Sequence, residues 1–260
     1  MKRGKKAQIT LFVIIAIILV GAIVSIVLFR SGAIKAPVSS EDAQKIVASE
    51  VQPVKNFVAD CIKTPYENSL KKIGLQGGYC VPYVKYNQLG NYSVPYLVSK
   101  SGTKYTNNIL LLEGNGPTVS KQIDMCVDMS AITKCINNFK SFKDVDVKSE
   151  GELTWTTSFS GNNIVLNINY PLTISRGDAK TAVDTMTLKL KSGLFNAYST
   201  AVDITNSEIK SHDFNIDVYV RTNLYITIDR QGTADAIYYY LTTVPEESET
   251  PYNFHFAVER

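Results

Sequence analysis

The stretch ITLFVIIAIILVGAIVSIVLF, residues 9–29, sets the reading of the whole chain. Its 21 residues carry no charge. A helix of that length rises about 30 Å, the thickness of a bilayer's hydrocarbon core. Thr10 and Ser25 can hydrogen-bond back to their own helix, and no polar stripe marks a soluble, half-buried helix. A cleaved secretory signal has a shorter apolar region, about 7–15 residues, and a small-residue cleavage site. Ser31-Gly32-Ala33 is a poor match to such a site, so a retained anchor is expected, with the lipid bilayer as its partner. Lys2, Arg3, Lys5 and Lys6 precede the stretch and only Arg30 closes it. That asymmetry predicts a single-pass protein of the cell membrane, with the N-terminus cytoplasmic and the residues after Arg30 extracellular.

The rest of the chain is large enough for one large or two small domains. The formal charge of +3 misleads, because five of the 27 Lys and Arg lie at or before Arg30. The remaining 22 face 24 acids, so residues 31–260 are slightly acidic. No basic stripe with interleaved aromatics is present, which argues against nucleic acid as a partner. With 15 Tyr and 10 Phe against one Trp, and Val and Ile at alternate positions, the composition suits half-exposed antiparallel sheet. Exposed tyrosines also suit a surface that binds sugars or proteins.

Working outward, residues 30–38 read as a spacer. Ser39 can cap a helix, with Asp42 in the capping-box position. Apolar residues from Ala43 to Ile62 follow at helical spacing, and Pro53 predicts a kink or restart. Thr64-Pro65-Tyr66-Glu67 opens a further helix, expected to stop at Gly74 before a turn at Gln76-Gly77-Gly78-Tyr79. Residues 79–113 look extended, with a hairpin or loop at Lys100-Ser101-Gly102-Thr103 and a glycosylation sequon at Asn91-Tyr92-Ser93. Gly114-x-Gly116 lacks the Lys-Ser/Thr of a phosphate loop and reads as a turn. Thr118 caps a helix expected to run to Phe139.

From Asp144 the period falls to two. Strands are expected at residues 145–148, 152–160, 164–170, 185–191, 218–229, 236–244 and 252–258, with a helix near 192–210. The fold class is therefore α+β: an N-terminal transmembrane helix, a helical region, then an antiparallel β-rich region with one interposed helix. The corresponding divisions are a basic tail over residues 1–8, the anchor over 9–29, the spacer over 30–38, a mainly helical, disulfide-tied region over 39–142 and the β-rich region over 143–260.

Cys61, Cys80, Cys126 and Cys135 all fall outside the cytoplasm by this topology, and an even number there favours disulfides. If residues 118–139 form one helix, Cys126 and Cys135 stand about 13 Å apart along its axis, beyond the roughly 7 Å Cα separation that a bridge allows. This leaves Cys61–Cys135 with Cys80–Cys126, which is preferred, or Cys61–Cys126 with Cys80–Cys135. Spacings of 19, 46 and 9 residues do not fit a zinc site. The two histidines, His212 and His255, sit in no recognisable catalytic motif. Asp124, Asp128, Asp144 and Asp146 lack EF-hand spacing. No catalytic, metal-binding or cofactor-binding residue is nominated, and no enzymatic activity is expected.

Lys5-Lys6-Ala7-Gln8, immediately before the apolar run, resembles the signal of archaeal type IV pilin-like proteins. That resemblance implies cleavage between Ala7 and Gln8, with the apolar helix kept on the mature protein. Thr10 resembles the Ser often found two residues after the Gln, whereas Phe12 replaces the Glu to which the family gives the role of registering subunits. Phe57-Val58-x-x-Cys61-Ile62 followed by Ile73-Gly74-Leu75-Gln76-Gly77-Gly78-Tyr79, with an echo in Tyr170-Pro171-Leu172, resembles a group of uncharacterised membrane-anchored surface proteins of small-genome archaea. The resemblance implies location and topology and carries no activity. The expected function is that of a structural or adhesive extracellular surface protein, whose partners are other surface proteins, glycans or copies of itself. A filament subunit processed before Gln8 is the alternative, and an envelope hydrolase built around His212 or His255 a third reading.

Overall fold

The computed structural model describes residues 19–20, 40–244 and 251–260. The fold is α+β, opening with a long helix and continuing into β-rich structure. The elements are α1 (Ser40–Leu75), β1 (Tyr86–Leu89), β2 (Tyr92–Ser101), β3 (Lys104–Asn107), α2 (Val119–Cys126), α3 (Met129–Ile136), β4 (Asp146–Ser149), β5 (Thr154–Ser160), β6 (Asn163–Arg176), β7 (Ala179–Lys191), α4 (Leu194–Ser211), α5 (Ile216–Thr222), β8 (Ile226–Gly232), β9 (Ala236–Thr243) and β10 (Asn253–Glu259).

The described residues fall into two units. The smaller holds those up to Gln52 with Asn138–Glu150 and Leu172–Val183. In it β4 pairs antiparallel with the end of β6, Val147 opposite Ile174 and Ser149 opposite Leu172. Gly177, at φ +58°, supplies the left-handed residue of the turn into β7. Val145, Leu172, Ile174 and Val183 are buried.

The larger unit holds Pro53–Asn137, Gly151–Pro171 and Asp184–Arg260. Within it Val54, Val58, Ile62, Tyr66 and Ile73 of α1 are all fully buried, a stripe at steps close to one helical turn. The helix ends in a glycine cap: the Gly78 N–H donates to the Ile73 carbonyl and the Gly77 N–H to that of Gly74, with Gly77 at φ +57°. A six-stranded sheet runs in the order β1-β2-β10-β9-β8, with β3 also on β2. Leu97, Phe254, Phe256, Tyr239 and Leu241 form its buried side. β5 pairs antiparallel with residues 163–169 of β6.

The expected fold needs four corrections. No helix among the described residues is long and apolar enough to cross a membrane. α1 has the length, but Glu41, Asp42, Lys45, Glu50, Lys55, Asp60, Lys63, Glu67, Lys71 and Lys72 make it amphipathic. The helix expected over residues 9–29 lies outside the described residues except for Leu19 and Val20, which are helical. Second, the β-rich part is not purely antiparallel: β10 pairs parallel with β2, Ala257 opposite Tyr96. Hydrophobic alternation reads the same in either strand direction, so the pattern could not reveal this. Third, two helices are interposed among the late strands. The run IDVYV has strand propensity, yet Asn215 caps it by accepting from the Val218 N–H at 3.1 Å, and residues 216–222 form α5. Fourth, α1 is one helix with Pro53 and Pro65 inside it, so neither the restart offered as one outcome at Pro53 nor the further helix expected from Thr64 occurs, because its deeply buried stripe outweighs the lost backbone bonds.

Candidate functional site

A polar cleft of about 410 Å³ lies on the six-stranded sheet. Strand alternation creates it. In β9, Tyr239 and Thr243 face α4: the Tyr239 hydroxyl donates to Glu208 Oε1 at 2.5 Å, and Thr243 packs where Gly193 has no side chain. Tyr238 therefore points to the opposite side of the sheet. There the register aligns Tyr96, Ala257 and Tyr238 across β2, β10 and β9, and places Ala236 opposite Glu259. Ala236 and Ala257 are buried with Val94 and Tyr96, with Tyr238 packed against them. Lys85, Asn87, Tyr96, Tyr238 and Glu259 from this side of the sheet line the cleft, with Thr233 from the β8–β9 turn.

Its rim is held by charged and amide groups. Asn87 donates one Nδ2 hydrogen to the Tyr96 hydroxyl at 2.8 Å and another to that of Tyr238. Lys85 Nζ lies 2.5 Å from Glu259 Oε1 and 4.8 Å from the Tyr96 ring centre. Glu259 Oε2 accepts from the Lys100 backbone N–H at 2.8 Å. That backbone bond, followed by the one from Lys85, lowers the Glu259 carboxyl below its ordinary value. Burial, followed by the hydrogen bond with Tyr238, pushes the Tyr96 phenol up to about 12. Asp235 and Arg260 also line the cleft, joined by a 3.0 Å backbone bond from the Arg260 N–H to the Asp235 carbonyl. Among the described residues neither of their charged side chains has a hydrogen-bonding or ion-pairing partner.

The cysteines pair as Cys61–Cys135 and Cys80–Cys126, with Cα separations of 5.6 and 5.5 Å, and none is free. The geometric premise for discarding Cys126–Cys135 does not hold, because the expected helix over 118–139 breaks at Val127 and Asp128 into α2 and α3. Asn91 is exposed at the β1–β2 turn. Ala7 and Gln8 lie outside the described residues.

The two histidines are apart from the cleft. His212 ends α4 in the left-handed region at φ +56°, its ring 4.5 Å from that of Tyr105. His255 meets Tyr240 edge to face at 5.0 Å, and burial lowers its pKa. Neither hydrogen-bonds a carboxylate among the described residues. The aspartates have separate tasks. Asp124 Oδ1 accepts from Trp155 Nε1 and Thr157 Oγ1, each at 2.8 Å. Thr157's hydrogen is thereby used, so Tyr66, 2.7 Å away, donates to Thr157. Asp128 caps α3 by accepting from the Ala131 N–H. Asp144 lies 3.7 Å from Arg176, and Asp146 begins β4. No group of three or more metal-ligating side chains occurs among the described residues.

The cleft residues come from β9, β10 and the chain around β1, β2 and the β8–β9 turn, so no linear motif announces them. Comparison with protein families, curated proteins and solved structures finds no match for the chain.

Proposed function

We propose that this protein is a non-enzymatic surface protein, held at the cell membrane by its N-terminal side with its disulfide-bonded part outside the cytoplasm, and that it has a structural or adhesive role. The two disulfides carry this reading, because such bonds persist in oxidising compartments and are rare in the reducing cytosol. The charge asymmetry around residues 9–29 supports the same orientation. The cleft, which sets Tyr96 and Tyr238 beside convergent polar groups, supports recognition of a partner, since binding sites join aromatic surface to polar groups that fix orientation. Membrane-impermeant labelling of intact cells, with thiol counting on the unreduced protein, tests the reading. The expected result is a labelled protein without free thiols; an unlabelled protein with four thiols would sink it.

The filament-subunit alternative rests on Lys5-Lys6-Ala7-Gln8. The intact mass of the native protein decides it, because cleavage before Gln8 removes seven residues.

A further inference from the structure

We propose that the cleft lined by Tyr96, Tyr238, Asp235 and Arg260 binds a neutral saccharide, a hexose unit of a surface glycan. This rests on the recognition role above and gives that role a ligand class. At about 410 Å³ the cleft lies toward the small end of ligand sites, which run to roughly 300–1,000 Å³.

Its chemistry is selective. A lipid tail or apolar peptide would strip water from Lys85, Asp235, Glu259 and Arg260 without replacing their hydrogen bonds. A phosphate would meet two carboxylates, and a simple cation two positive charges. Glu259 is already satisfied by Lys85 and by the Lys100 N–H. Asp235 and Arg260 remain, side by side and unpartnered among the described residues. A carboxylate only accepts and a guanidinium only donates, whereas a hydroxyl does both, so neighbouring sugar hydroxyls satisfy the two together. The partly exposed Tyr238 offers an aromatic surface beside this polar edge. A pyranose has matching parts: a face of C–H groups, attracted to the negative face of an aromatic ring, and a rim of hydroxyls.

The test is titration of the full-length chain in lipid nanodiscs with methyl glycosides of glucose, galactose, mannose and N-acetylglucosamine. Binding is read by saturation-transfer NMR and calorimetry, with glucuronate, inorganic phosphate and glycine as comparison ligands. At least one neutral glycoside should bind saturably and more tightly than all three comparison ligands. Asp235→Ala and Arg260→Ala, both at exposed positions, should each weaken binding about tenfold with melting temperature unchanged. Tyr238→Phe should keep more affinity than Tyr238→Ala. Saturation by glycine or phosphate in place of a glycoside overturns the proposal, as does glycoside binding insensitive to Asp235 and Arg260, or no glycoside binding at all. Attachment of cells lacking the protein separates the two levels. Lost attachment without glycoside binding sinks the saccharide alone, while unchanged attachment sinks the adhesive role beneath it.

Discussion

Gly74 shows how closely a single residue can be constrained. A Cβ there would stand 2.3 Å from the Asn253 carbonyl oxygen and 2.7 Å from the Tyr252 hydroxyl. That hydroxyl donates to the Leu70 carbonyl at 2.9 Å, so neither neighbour can yield cheaply. Gly74→Ala is expected to lose about 1–3 kcal/mol through overpacking, measured by urea unfolding. Asp124 gives a second test, with a pH signature. Burial raises its carboxyl above the ordinary value, and the hydrogen bonds from Thr157 and Trp155 oppose that shift only in part. The fold therefore favours the protonated form. This contribution is fully present below the ordinary carboxyl pKa and is lost as pH rises through the raised one. Asp124→Asn, which keeps an acceptor, should be at least as stable as the parent at pH 7, and any advantage should shrink at pH 3. Asp124→Ala should lose about 1–3 kcal/mol, because the Trp155 and Thr157 donors lose their acceptor. Urea midpoints at the two pH values distinguish the variants.

Among the elements, α2 and α3 matter most because each carries one half of a bridge. Thr118 and Asp128 start them, accepting from the Lys121 and Ala131 N–H groups. The break between them lets Cys126 reach Cys80 while Cys135 reaches Cys61. Each bridge closes a long loop, of 74 and 46 residues, and restricts the unfolded chain. Reduction is expected to remove about 2–4 kcal/mol per bridge, seen as a lower thermal midpoint in excess phosphine. An unchanged midpoint, with free thiols confirmed, would show that the bridges do not stabilise the fold. Here the sequence was partly legible: cysteine parity and helical spacing announced bridges in a helical region. The break at Val127 was not legible, since Val and Asp both occur inside helices and only the cap geometry distinguishes the site.

At the scale of the whole molecule, the six-stranded sheet gathers strands that are far apart in the chain. β10 lies between β2 and β9, and its parallel pairing joins Ala257 to Tyr96. Such contacts close only after a long loop has been ordered. Once formed, β10 has a partner on both edges, whereas β8 has one. Amide hydrogen exchange should therefore be slowest in β10 and β9 and faster along β8, because opening free energy follows burial and pairing. Equal protection in β8 and β10 would contradict this order of strands. The cleft belongs to this scale too, as its lining comes together only once β2, β9 and β10 are side by side.

The amino-acid pattern alone determined the α+β class, helical structure between residues 40 and 75, most strands and turns, and the presence of four paired cysteines. These are local matters, set by periodicity, caps and glycines within a few residues of one another. Tertiary structure decided that α1 runs through two prolines, that IDVYV is helical, that β10 joins β2 in parallel, and that Asp235 and Arg260 meet in a cleft. Apart from the helix at IDVYV, which Asn215 caps locally, each of these turns on contacts between distant segments, and alternation along one strand holds no information about its neighbour's direction or identity.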